Sequence, residues 1–170
     1  RIESLLIELS ARFINLPSEQ VDHEIKDTQR RICEHLGLDR SALWQQGEED
    51  PDTLLMTHVY QRQEMPHTPA PANARTLVPW LLEQVLRGKT VVVSRLDDLP
   101  AEAACDREAL GRFGTNSAVI VPLVTGGSVF GTLAFASARE REGWPEGLVK
   151  RLQLVAEVFA NAIARARSDR

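Results

Sequence analysis

The chain has 170 residues, a formal net charge of −4, 43% hydrophobic residues and 26% charged residues. That is the size and balance of one globular domain whose core needs no disulfide staples, and its negative charge argues against a general nucleic-acid binder, which needs a basic face. No apolar run is long enough to span a bilayer, no secretory signal is visible, and Cys33 and Cys105 lie far apart outside any metal-binding spacing; the expectation is a cytoplasmic protein with reduced thiols and no membrane contact.

Ile2, Leu5, Leu6, Leu9 and Phe13 form a helical stripe that Leu16-Pro17-Ser18 breaks, with Ser18 as a candidate N-cap. The next helix places Val21, Ile25, Ile32 and Leu36 on one face and stops at Gly37. Residues 40–46 (RSALWQQ) and 53–61 (TLLMTHVYQ) read as strands around a polar GEEDPD turn, and residues 62–76, with three prolines, read as a long loop. Pro79 opens a short helix that buries Leu81, Leu82, Val85 and Leu86 and ends at Gly88. Val91-Val92-Val93 is a short strand, and Asp97-Asp98-Leu99-Pro100 begins a helix closing near Phe113-Gly114. Ser117–Ser137 follows as two long apolar strands joined by Thr125-Gly126-Gly127-Ser128, a hairpin signal because primed turns need positive φ at their centre. Trp144-Pro145 opens a last helix reaching about Arg167. In the hairpin, Val119, Val121 and Leu123 fall on one face and Ala118, Ile120 and Val124 on the other. Both sets are apolar, so the sheet must be covered on both sides. The expected class is α+β, with a central antiparallel sheet of about six strands and helices on both faces.

In this order the segments LGLDRSALWQ, GKTVVVSRLDDLP, SAVIVPLVTGGSVFGTLAFAS and WPEGLVKRLQLVAEVFANAIARA resemble a GAF domain, the small-molecule sensor module of signalling proteins, along essentially the whole chain. The closest resemblance is to GAF domains of bacterial sensor histidine kinases. It implies a single sensor domain over residues 1–170 within a longer signalling protein, with terminal signalling helices at 1–16 and 145–170. It also implies that this chain is not itself an enzyme, and that its covalently linked partners are sensor or kinase domains of a two-component system.

The candidate chemistry is sparse. His23-Glu24-Ile25-Lys26 superficially resembles a kinase phosphoacceptor box, but no ATP-binding segment follows, and His23 reads as a solvated residue near a helix start. His58, in mid-strand, is a candidate ligand contact or a satisfied strand histidine; His67 sits in the proline-rich loop. Cys105 is followed by Asp106-Arg107, whereas bilin-attaching GAF domains place a histidine after the cysteine, so a covalent bilin is not expected; haem, which some GAF domains bind through a histidine, is not expected at the lone strand residue His58, and any ligand stays unidentified. Asp97 and Asp98 suit a helix N-terminus or a pocket wall. Thr132, Ala134 and Ala136 are small side chains at alternate positions of the last strand. They leave room either for a close-packed helix or for an apolar cavity, under the 62–76 loop and the 77–87 helix, with Trp80 and Phe113 as walls. The expected pocket is Thr57, His58, Trp80, Asp97, Leu99, Phe113, Val119, Val121, Thr132 and Ala134. No phosphate loop, nucleophile elbow or metal-binding spacing is present, and no catalytic residue is expected.

Leu148, Leu152, Val155, Phe159, Ala162 and Ala166 recur at alternating spacings of four and three, a heptad-like seam that Val149, Ala156, Val158 and Ile163 widen. One sheet face needs less apolar surface than this. Leu152, Val155, Phe159 and Ile163 are therefore expected to pair with a second copy in a homodimer whose helix bundle carries a signal. Two other functions remain open: a ligand-free dimerisation or interaction module of a signalling or transcription regulator, and a methionine-sulfoxide reductase on the same fold, which needs a cluster of active cysteines.

Overall fold

A computed structural model describes residues 2–68 and 72–169. Helix α1 (Ile2–Arg12) is followed by a 3-10 turn at Ser18–Gln20 and helix α2 (Val21–Leu36). Strands β1 (Arg40–Gln46) and β2 (Leu54–Gln61) come next, then the short helices α3 (Ala74–Leu77) and α4 (Pro79–Leu86), strand β3 (Val91–Val93) and helix α5 (Ala104–Arg112). The hairpin β4 (Ser117–Thr125) and β5 (Ser128–Ser137) leads into helix α6 (Glu146–Ser168). Among the described residues the sheet has five strands rather than six, in the order β2-β1-β5-β4-β3, and every neighbouring pair is antiparallel. Helices α1, α2 and α6 cover one face; α3, α4 and α5 cover the other.

Local chemistry explains most boundaries. Gly126 and Gly127 take φ of 58° and 80°, the left-handed pair that a two-residue hairpin turn requires. Ser18 does not cap: its hydroxyl donates instead to Asp169 at the far end of the chain. The loop after β2 holds α3, capped by the Asn73 side chain, which accepts from the backbone N–H groups of Leu54 and Arg75. Asp97 and Asp98 cap nothing. They lie exposed in a 3-10 turn (Leu96–Asp98), and α5 begins only at Ala104.

Two irregularities set which side chain faces where. Next to the turn, Thr125 pairs with Ser128 and Val124 with Val129. Continued unbroken, that register would put Val121 opposite Thr132 and Val119 opposite Ala134. A bulge between Leu123 and Val124 shifts it by one residue, so Ile120 pairs with Ala134 and Ala118 with Ala136. Val119, Val121 and Leu123 consequently join Leu133 and Phe135 on the face under α6. A second shift, at Leu43/Trp44 against β2, leaves Thr57 as the extra residue. Close by, β5 comes so near β1 that a Cβ on Gly131 would lie 2.2 Å from the Trp44 carbonyl oxygen, so no larger residue fits that backbone.

The α6 seam is used inside the chain. Leu152 and Phe159 are 0% exposed, and Val155 and Ile163 are also buried, against the sheet and helices α1 and α2. The rings of Phe13 and Phe159 meet at 5.7 Å. Helix α1 lies alongside α6 in the same direction, with Glu3 paired to Arg151 and the Phe13 carbonyl accepting from Arg165. The apolar surface beyond the need of one sheet face is therefore taken by α1 and α2. This corrects the expectation that Leu152, Val155 and Phe159 are left partly exposed in a lone subunit for pairing with a second copy; Ile163, expected in the same seam, is buried with them.

Candidate functional site

A cavity of about 110 Å³ lies between the sheet and helices α3, α4 and α5. Three cross-strand rows make its floor. Arg40, Ala136 and Ala118 form the first, and Ala42, Ala134 and Ile120 the second; Trp44 and Thr132 begin the third. Four of these eight residues are alanine, so the floor rises little above the backbone. Leu77, Val78, Leu81, Leu82, Val85, Leu110 and Phe113 form the roof, and Met56, Thr68, Ala74 and Thr115 complete the sides. The lining is thus apolar with a few polar groups, the make-up of a small-molecule site.

Of the expected pocket residues, Phe113, Thr132 and Ala134 line this cavity. Val119 and Val121 do not; the bulge turns them into the opposite core. Trp80 and Leu99 pack with Leu81, Val93 and Ala103 in a neighbouring cluster, and Asp97 is exposed. Of the 62–76 loop expected as a roof, Thr68 and Ala74 reach the cavity, while residues 69–71 lie outside the described residues.

Thr57 and His58 belong to a separate open cleft of about 640 Å³ on the α2 and α6 side, with Asp22, Lys26, Gln45, Glu48 and Arg167 among its walls. The Gln45 amide donates to Thr57 Oγ1 at 2.8 Å; on the far side of the ring the Asp22 carboxylate accepts from His58 Nε2–H at 2.8 Å, which in the neutral imidazole leaves Nδ1 to accept from the Thr57 hydroxyl at 2.7 Å. Burial pushes the His58 imidazole below its ordinary value, and Asp22 opposes that shift.

Two residues of the cavity region were missed at the level of sequence. Arg40 is 6% exposed at one end of the floor, where Nε donates to Gln61, Nη1 to Thr115 Oγ1 and Nη2 to the Pro66 carbonyl. Its signal was the period-two register with Ala42 and Trp44 in RSALWQQ. Asp106, fully buried on α5, accepts from the backbone N–H groups of Trp80 and Leu81 at 3.2 and 2.7 Å. It thereby caps α4 from another helix and joins the two halves of the roof, a pairing no local pattern reveals.

The thiols do not meet. Cys33 is buried on α2 in the packed face, and burial pushes its thiol up to about 12. Cys105 is exposed on α5, its sulfur 3.8 and 3.9 Å from the Leu77 and Thr76 carbonyls. Among the described residues no cluster of histidine, cysteine or acidic side chains fits a metal ion, and no helix is long and apolar enough to cross a membrane.

Comparison with solved structures finds the same fold. The phycoerythrobilin-bound GAF domain of a cyanobacterial phytochrome is 18% identical, with a TM-score of 0.78 over 99% of this chain and 97% of that one. The GAF domain of a phosphoenolpyruvate-protein phosphotransferase from Coxiella burnetii is 16% identical, with a TM-score of 0.77 over 98% and 94%. Free methionine-R-sulfoxide reductase from Neisseria meningitidis, in complex with its substrate, is 18% identical, with a TM-score of 0.70 over 98% and 90%. No curated protein sequence matches the chain. Residues 21–166 match the GAF domain family, from the start of α2 to the last turns of α6, and the chain belongs to that family.

Proposed function

We propose that this chain is a regulatory small-molecule sensor domain whose ligand enters the cavity between the sheet and α3–α5, within a bacterial two-component sensor histidine kinase. The observation that carries the proposal is the cavity itself, about 110 Å³ of apolar space over a floor of alanines. Strand β4 is a shared wall: Ala118 and Ile120 face the cavity, and Val119 and Val121 face α6. A ligand that prefers one position of this strand therefore biases α6, and only such a differential preference can transmit anything. Helices α1 and α6 run parallel on the far side, which suits the relay of a shift along their common axis.

The neighbours' chemistries fit less well. A linear tetrapyrrole far exceeds this volume, and Cys105 is not among the cavity lining. A thiol-based reductase needs paired cysteines, and Cys33 and Cys105 lie on opposite sides of the sheet.

In this reading the working unit is a homodimer. Its seam draws on the outward side chains of α1 and α6, where Ile7 is 73% and Leu154 57% exposed, and not on Leu152, Val155, Phe159 and Ile163. Xenon tests the cavity directly, because a dry apolar cavity of similar size takes it up. Under xenon pressure, amide shifts are expected at Ala42, Ala118 and Ala134 and, through β4, along α6. Sedimentation of the same sample at tens of micromolar is expected to show a dimer that Leu154→Glu splits. Undisturbed cavity amides overturn the sensor reading; a monomeric wild type overturns the dimer.

A further inference from the structure

Arg40 is the one charged side chain among the described lining of the cavity, and it is 6% exposed. Its three hydrogen bonds all go to neutral acceptors: the Gln61 side chain, the Thr115 hydroxyl and the Pro66 carbonyl. Among the described residues no carboxylate reaches it. The neighbouring Asp39 is engaged elsewhere, with Oδ1 on Arg62 and Oδ2 on the Ala138 backbone N–H, both at 2.7 Å. A guanidinium carries five N–H groups, so one on Nη1 and one on Nη2 are left over. Burial pushes this guanidinium below its usual value, with Asp39's charge opposing, yet an arginine stays protonated. The result is a buried cation without a counter-ion at the end of an apolar cavity, an arrangement that costs stability unless something anionic completes it.

We infer that the cavity takes a small organic monoanion, a carboxylate on a short aliphatic body, with its oxygens on the two spare N–H groups of Arg40 and its carbon chain over Ala42 and Ala134. This rests on the cavity being the sensor site and adds the chemical class of ligand. A fork of two N–H groups suits a carboxylate. The alternatives each leave a group unmatched. A free amino acid brings an ammonium, and no acidic side chain occurs among the described lining. A dicarboxylate sends its second charge toward Trp44 and Met56. Inorganic phosphate or sulfate leaves the alanine floor uncovered, and a neutral alcohol leaves Arg40 unpaired. Size sets the chain length: an engineered cavity of about 150 Å³ takes benzene, with six non-hydrogen atoms, so about 110 Å³ holds no more than about six and limits the acid to about four carbons once its two oxygens are counted.

The test is titration of the whole chain with sodium butyrate, n-butanol and n-butylammonium chloride at matched ionic strength, followed by amide shifts. Butyrate is expected to bind at least tenfold tighter than butanol, with shifts at Ala42, Thr115 and Ala134, and butylammonium is expected not to enter. Arg40→Gln should erase the preference for the acid while butanol still binds. If that variant does not fold, Ala134→Leu fills the space and leaves the charge in place, and it should abolish butyrate binding. Butanol binding as tightly as butyrate overturns the carboxylate assignment and leaves the cavity reading standing. So does entry of xenon when neither compound enters. Butyrate binding that survives Ala134→Leu places the anion elsewhere and also overturns the assignment. Exclusion of all three probes and xenon overturns both.

Discussion

Strand β4 sends Val119, Val121 and Leu123 into one layer and Ala118 and Ile120 into the other, and the two layers are unlike. Under α6 the strands contribute Leu43, Leu133 and Phe135, which interlock with Ile25, Ile32, Leu152 and Phe159. Where α1, α2 and α6 meet inside this layer the gap is only about 10 Å³, and the open cleft of about 640 Å³ lies at the layer's edge. Toward α4 the same strands offer Ala42, Ala134 and Ala136, and the gap is about 110 Å³. A packed layer has one arrangement and stores stability. A layer with spare volume stores little and has room to respond. One sheet thus separates a part that must stay fixed from a part able to answer a ligand, and an element in contact with both, β4, is where they couple.

The sharpest test of this contrast compares truncation on one side with filling on the other. Phe159 is 0% exposed, and Phe159→Ala is expected to cost about 3–5 kcal/mol, the transfer term plus the cavity left behind. Ala134→Leu adds bulk where space already exists, and is expected to be neutral or to add roughly 0.5–2 kcal/mol. Urea unfolding of both variants decides it: if Ala134→Leu costs as much as Phe159→Ala, the cavity layer is packed after all. Phe159→Glu places a charge in the fully buried position and is expected to unfold the chain rather than separate two intact subunits.

Much of the fold was legible from residue pattern. The hairpin turn, the helix stops at Gly37 and Gly88 and the small side chains at Thr132 and Ala134 all follow from local chemistry, because each depends on neighbours in sequence. The cavity's true floor was not. Val119 and Val121 are as apolar as Ala118 and Ile120, so alternation carries no sign of which set faces in. A two-residue turn taken alone pairs Val121 with Thr132, and only the bulge at Leu123/Val124 reverses the parity. The heptad spacing on α6 was real, but the same spacing serves a second copy or the chain's own α1, and nothing in one helix distinguishes them. Arg40 and Asp106 act on partners 75 and 25 residues away, beyond the reach of any short pattern.

Gly131 sharpens the contrast at intermediate size. Its missing Cβ lets β1 close on β5 opposite Gln45 and against the carbonyl of Trp44, a wall of the cavity, on the strand that also buries Leu43 in the packed layer. Gly131→Ala meets backbone at 2.2 Å and must push the strands apart, at about 1–3 kcal/mol, the usual cost of overpacking. The change should reach both faces. Amide shifts confined to the packed side would show that Trp44 holds its place without β5.

The smallest effect concerns the polar seam at the edge of the packed layer, where Asp22 on α2 meets His58 on β2 at 2.8 Å. The groups facing this imidazole are Asp22, Lys26 and the Thr57 hydroxyl. In an unfolded chain a histidine takes its proton near pH 6.5. Burial holds the folded His58 below that, with Asp22 pulling the other way and Lys26 adding to the depression. Between the two values the unfolded chain binds the extra proton, so the folded state loses stability as pH falls below about 6.5 and is unaffected above it. Carboxylates titrate mostly lower, near pH 4, so urea midpoints taken from pH 7.5 down to 5 isolate the histidine. Wild type is expected to lose more stability across that window than His58→Gln, which keeps an amide at the site but cannot take the proton. A wild type that instead gains stability on acidification relative to the variant would mean that the pair with Asp22 outweighs burial. The packed layer would then be held at its edge by a charged bridge rather than by a neutral, desolvated ring.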